Sequence, residues 1–117
     1  FPLMFSEGVI KQRISPVEFA RLCALNPAKL FGMYPKKGVI RPGSDADIVI
    51  MDPGRPYTVT HDRLHENVDH TPYEGMRVEC DIDCVISRGE VIVKNNEFIG
   101  RKGRGQFIKR SKPLLDK

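Results

Sequence analysis

Residues 61–70, His61-Asp62-Arg63-Leu64-His65-Glu66-Asn67-Val68-Asp69-His70, gather every histidine of the chain beside Asp62, Glu66 and Asp69. Those side-chain types bind metals and move protons. On a helix, His61 and His65 would share one face, as zinc sites use, with Asp69 or His70 as a third ligand. The metalloprotease pattern H-E-x-x-H fails, because Asp69 stands where the second histidine must be. The stretch also has no apolar periodicity to make it helical. Histidines and aspartates in a loop are usually solvated or close local turns. We therefore expect no metal site and no catalytic residue here.

The other chemical candidates are weaker. Gly100, Gly103 and Gly105 alternate with Arg101, Lys102 and Arg104, but no strand and helix N-terminus frame them as a phosphate loop requires. As a nucleic-acid arm the segment offers Phe107 as its only stacking aromatic, so no specific nucleic acid is expected. No nucleophile sits in a G-x-S-x-G elbow. Asp45 and Asp47 flank Ala46 at the start of a strand and are expected to cap turns rather than do acid–base work. Asp81 and Asp83 are expected to lie on a solvated strand face.

Cys23, Cys80 and Cys84 are odd in number. Four residues of strand put Cys80 and Cys84 ~13 Å apart, beyond disulfide reach. All three read as buried thiols. The net charge of +4 is unevenly placed. Residues 101–117 carry Arg101, Lys102, Arg104, Lys109, Arg110, Lys112 and Lys117 against Asp116 alone, so the rest of the chain is slightly acidic. The basicity belongs to a tail and not to a general polyanion surface. No apolar run approaches the roughly 20 residues of a membrane span, and Phe1-Pro2-Leu3-Met4-Phe5 lacks the flanks of a signal peptide. The expected location is the cytoplasm, with no membrane partner. A first residue that is Phe and not Met leads us to expect a cut or partial polypeptide.

The elements come in a lopsided order. Residues 2–13 read as a helix end turning at Gly8. Ser15, Pro16 and Glu18 form a helix start with a capping box, followed by Phe19, Leu22 and Cys23 on one face. Asn26-Pro27 is expected to end that helix and begin another, which stops at Gly32. Pro35 and Gly38 frame a basic turn, and Val39-Ile40 is a short extended piece. Arg41-Pro42-Gly43-Ser44 reads as a β-turn. Asp47–Asp52 is a continuous apolar strand expected to be covered on both faces. Tyr57–Thr60 is a second strand, and 61–76 a long loop of the kind that is functional or held by a partner. Residues 78–87 alternate, with Cys80, Ile82, Cys84 and Ile86 inward, and pair through Ser87–Glu90 with Val91–Val93 as a hairpin. Asn95-Asn96 turns the chain into a short strand at Phe98-Ile99.

About five strands are too few to cover themselves and two helices. Their open edges are a feature that natural proteins avoid. Missing chain or another subunit is the expected cover. In the tail Phe107, Ile108, Leu114 and Leu115 are expected as apolar anchors.

The blocks Leu3-Met4-Phe5-Ser6-Glu7-Gly8-Val9, Asn26-Pro27-Ala28-Lys29-Leu30-Phe31-Gly32, Tyr34-Pro35-Lys36-Lys37-Gly38, Gly43-Ser44-Asp45-Ala46-Asp47, Pro72-Tyr73-Glu74-Gly75-Met76, Arg88-Gly89 and Gly103–Arg110 occur in that order. Together they resemble the C-terminal segment of the dihydropyrimidinase/hydantoinase group of the amidohydrolase superfamily. The resemblance implies a mixed α/β fragment. Residues 1–35 would be the terminal helices of a metal-dependent (β/α)8 barrel, and 36–99 the C-terminal part of a β-sandwich with its long loop at 61–76. Residues 100–117 would be a basic, extended oligomer-contact tail, with Gln106, Phe107, Ile108 and Arg110 as its contact residues.

By the same resemblance the parent opens cyclic amides of the dihydropyrimidine or hydantoin type with two zinc ions, which activate water and polarise the carbonyl. The ligands of those ions precede this segment. No H-x-H pair occurs here, so no catalytic or metal residue can be assigned, and Lys29 is not the bridging lysine. The chain is expected to be structural and inactive alone, with the missing barrel and further copies (a tetramer or dimer) as partners. The alternative from another class is the C-terminal part of a non-catalytic, dihydropyrimidinase-related signalling scaffold. A free-standing β-rich binding module is a third reading.

Overall fold

The computed structural model describes residues 1–114; the expected anchor Leu115 lies outside them. Its first helical segment, residues 2–10, opens as Pro2–Met4 and widens into i→i+5 turns over Phe5–Ile10. The chain reverses at Gln12, whose φ is 56°. Gly8 therefore lies inside the helix and does not end it, a correction to the sequence expectation. The second helix starts as expected. Ser15 Oγ accepts from Glu18 N–H at 3.2 Å, and Glu18 Oε2 accepts from Ser15 N–H at 2.8 Å. It runs as Pro16–Ala20, Arg21–Leu25 and Asn26–Leu30 without interruption. Pro27 does not break it. The wide turns of Arg21–Leu25 immediately before absorb the missing N–H and the ring.

Phe19 locks the two helices together. Its ring stands edge-on to Phe1 at 5.4 Å and to Phe5 at 5.3 Å, geometry in which aromatic quadrupoles attract. Gly32 ends the second helix at φ 66°, the left-handed stop that glycine adopts freely.

Among the described residues six strands make two antiparallel sheets. β1 is Ile48–Asp52, β2 Tyr57–Thr58, β3 Arg77–Val78, β4 Asp81–Ser87, β5 Glu90–Lys94 and β6 Glu97–Phe98. The larger sheet has the order β1-β4-β5-β6, and β2 pairs only with β3. The turns at Arg88-Gly89 and Asn95-Asn96 have both residues at positive φ, the geometry that matches strand twist in two-residue hairpins. The expected strand 78–87 is split, because Val78 pairs with Tyr57 while β4 begins at Asp81. Cys80 and Cys84 are buried all the same, and Cys23 is half-buried, against the expectation of three buried thiols.

β1 also departs from expectation. It is an edge strand, and Val49 and Ile50 are 37% and 45% exposed. The two side chains point to opposite faces of the strand, and both stay exposed among the described residues.

The buried apolar core is thin: Phe19, Ala28, Val59, Val78, Cys80 and Cys84. The radius of gyration is 15.6 Å, against about 13 Å for a self-contained chain of this length. The accessible surface is 8467 Å², roughly 2,000 Å² above the ~6,500 Å² of a folded monomer of 13.3 kDa.

Candidate functional site

Three polar ties hold the helices against the sheets. The first is buried Ser6. Its Oγ donates to Pro2 O at 2.8 Å, accepts from Glu79 N–H at 2.8 Å and lies 3.7 Å from Cys80 Sγ. This pins the first helix to the link between β3 and β4. Burial pushes the Cys80 thiol up, so it is a packing group and not a nucleophile.

The second tie centres on Lys37. Its ammonium pairs with Asp45 at 2.9 Å and with Asp47, while Asp47 Oδ1 accepts from Arg88 N–H at 2.8 Å. Gly89 N–H donates to Ala46 O at 3.0 Å. The basic turn, the strand-opening turn and the β4–β5 turn thus meet at one charge cluster. Burial works to raise the Asp47 pKa, but Lys37 and the Arg88 N–H outweigh it and hold the carboxyl below its ordinary value. Burial likewise opposes the charge on Lys37, and the two aspartates outweigh it, so its pKa is raised. Asp45 and Asp47 serve turns, as the sequence leads one to expect.

The third tie is the tail. The Arg104 guanidinium reaches Ser87 Oγ at 2.9 Å, Ser87 O at 2.6 Å and Glu90 at 3.1 Å. Further on, Ser111 N–H and Oγ both donate to Gly32 O, at 2.8 and 3.0 Å. Of the contact residues expected from the sequence, Gln106, Phe107 and Arg110 are exposed and Ile108 is half-buried. Phe107 is 94% exposed, and Leu114 borders a groove shared with Leu22, Leu30 and Phe31.

The acidic strand face departs from expectation. Asp81 pairs with Arg63 at 2.6 Å, and Asp83 with Arg55 at 3.1 Å and Lys94 at 2.6 Å. These carboxylates are not merely solvated: the segments before β4 bring Arg55 and Arg63 to them, and β5 brings Lys94. The Arg63 guanidinium also stacks over the Tyr57 ring at 4.1 Å. Sequence reasoning missed these partners, and also Arg104 and Gly32, because each pairing joins distant segments.

His61 and His70, expected to hold no metal, lie in local pairs. The imidazole of His61 faces Asp62 at 3.0 Å and Glu74 at 3.8 Å, and His70 Nδ1 faces Asp69 at 2.9 Å. Among the described residues no three or more His, Cys, Asp or Glu side chains converge. No helix among them is long and apolar enough to cross a membrane.

Comparison with known proteins supplies a frame for these features. The family model for the amidohydrolase family matches residues 4–92. The chain is 45% identical over 113 residues to the D-phenylhydantoinase of Escherichia coli O81 (strain ED1a), an alignment covering 97% of the chain and 24% of the enzyme. It is similar to the crystal structure of dihydropyrimidinase from Brevibacillus agri NCHU1002, with a TM-score of 0.93 and 45% identity over 98% of this chain and 25% of that one. It is also similar to the L-hydantoinase (dihydropyrimidinase) from Arthrobacter aurescens, with a TM-score of 0.89 and 34% identity over 94% and 24%. The chain spans about a quarter of the length of the curated relatives it matches.

Proposed function

Because this chain belongs to the amidohydrolase family, we propose that it is the C-terminal part of a hydrolase that opens cyclic amides of the dihydropyrimidine or hydantoin type. In that role it is a structural and oligomer-forming piece. It completes a barrel with its helices and a β-sandwich with its strands. The two zinc ions and the residues that hold them belong to the rest of the protein. The observation that carries this reading is the surplus surface of roughly 2,000 Å². It includes exposed apolar side chains: Leu22, Leu30 and Phe31 on and at the end of the second helix, and Val49 and Ile50 on β1.

Clustered exposed apolar side chains mark an interface, and an unpaired apolar edge strand invites another strand. Both fit a chain whose relatives are about four times longer. A D- and an L-hydantoinase share the fold of this segment, which supports assigning the choice of ring and stereochemistry to other parts of the enzyme. The tail, with Phe107 held in solvent, is the surface offered to a further copy. The relatives reported above are hydantoinases and dihydropyrimidinases, so the scaffold alternative gains no support.

The proposal is tested by hydrophobic-dye fluorescence. The isolated 117-residue chain should bind dye strongly and unfold broadly, and the full-length protein containing it should do neither. A dark, sharply unfolding isolated chain would identify a free-standing module and remove the proposal.

A further inference from the structure

We propose that residues 104–114 form a strap with two cooperating clasps, tying the β4–β5 turn to the end of the second helix, and that Arg104 is the residue that positions it. The segment has no ladder or helix of its own, yet both ends are fixed. At the first clasp the Arg104 side chain is only 14% exposed. Its planar fork is spent on Ser87 Oγ, Ser87 O and Glu90, a use of several donors that lysine cannot copy. The contact is reciprocal, since the Arg88 guanidinium donates to Arg104 O.

At the second clasp Ser111 donates twice to Gly32 O, and Leu114 N–H donates to Lys29 O at 3.0 Å. Gly32 lies just past the helix end, and its own N–H donates to Lys29 O at 3.2 Å, so helix stop and tail meet on the same backbone groups. A Cβ on Gly32 would fall 2.0 Å from Ser111 O. The helix stop is thus also a seat for tail backbone, and only glycine leaves room for it.

Residues 105–110 bridge the two clasps and are exposed apart from half-buried Ile108. Holding one end of such a bridge raises the effective concentration of the other end at its seat. The clasps therefore close together and open together, and the strap reports on the relative position of sheet and helices.

Hydrogen exchange of the Ser111 and Leu114 amides in the full-length protein tests this. Arg104→Ala should speed exchange at both, although neither touches Arg104, by about threefold or more. Arg104→Lys should restore little of the protection. Glu90→Gln, which weakens the same clasp from the other side, should give a smaller rise in the same direction and serves if Arg104→Ala does not fold. Lys102→Ala, which removes an exposed neighbouring cation, should change nothing. Unchanged Ser111 and Leu114 exchange in both clasp variants, or an equal rise in Lys102→Ala, would overturn the proposal.

Discussion

Lys37 lies between two aspartates, and that placement sets the pH range in which the turns stay together. Asp47 has a folded pKa below its ordinary 3.8. Its contribution is fully present above that value and is lost as pH falls through the lower, folded one. Lys37 has a folded pKa above its ordinary 10.5, so its contribution is present below 10.5 and lost as pH rises through the higher value. Between those limits this cluster should make no slope in stability. Asp47→Asn should lower the denaturant midpoint at neutral pH and flatten the acid limb below about pH 4, as urea titrations at several pH values would read. An acid limb identical in both proteins would place the titrating group elsewhere. At this scale the sequence was legible wherever partners are neighbours. The Ser15–Glu18 box spans three residues and is present. It was not legible where partners are distant. Asp81 finds Arg63, and Ser6 finds Glu79 and Cys80, only after the chain has folded.

Helix ends were misread at Gly8 and Pro27 for a common reason. Both are strong punctuation in isolation, but helices with an apolar face to bury run past a weak residue when wider turns can absorb it. Gly32 and the hairpin turns were legible because positive φ is a local demand met by local residues. The apolar run of β1 reads as a strand covered on both faces, but in the structure β1 is an edge strand with Val49 and Ile50 exposed. The tail follows the same logic. Its charge and glycine content announced an arm, but its two seats depend on Ser87 and Gly32. If exposed Phe107 anchors a further copy, Phe107→Ala in the full-length protein should weaken assembly. Light scattering would then show a smaller species or at least about a tenfold higher dissociation constant, since interface aromatics commonly carry 1–2 kcal/mol or more. An unchanged assembly would free Phe107 from that role.

Taken whole, the molecule has the proportions expected of the piece proposed above. It has a thin core, too much surface for its mass, an apolar edge strand and an apolar helix face. Asp45, Asp47, Asp81 and Asp83 are held in ion pairs that join turns and strands, and among the described residues no three or more His, Cys, Asp or Glu side chains converge. The family was legible because its blocks are dictated by turns and helix ends, such as Gly32 and the Lys37–Asp45–Asp47 cluster, that the fold cannot dispense with. The substrate was not legible, because no motif read from the chain carries the chemistry of a ring substrate. The direct test is an assay of hydantoin ring opening by the purified 117-residue chain supplied with zinc, beside the full-length protein. The isolated chain should show no turnover above buffer while the full-length protein opens the ring. Ring opening by the isolated chain would contradict the account at its centre.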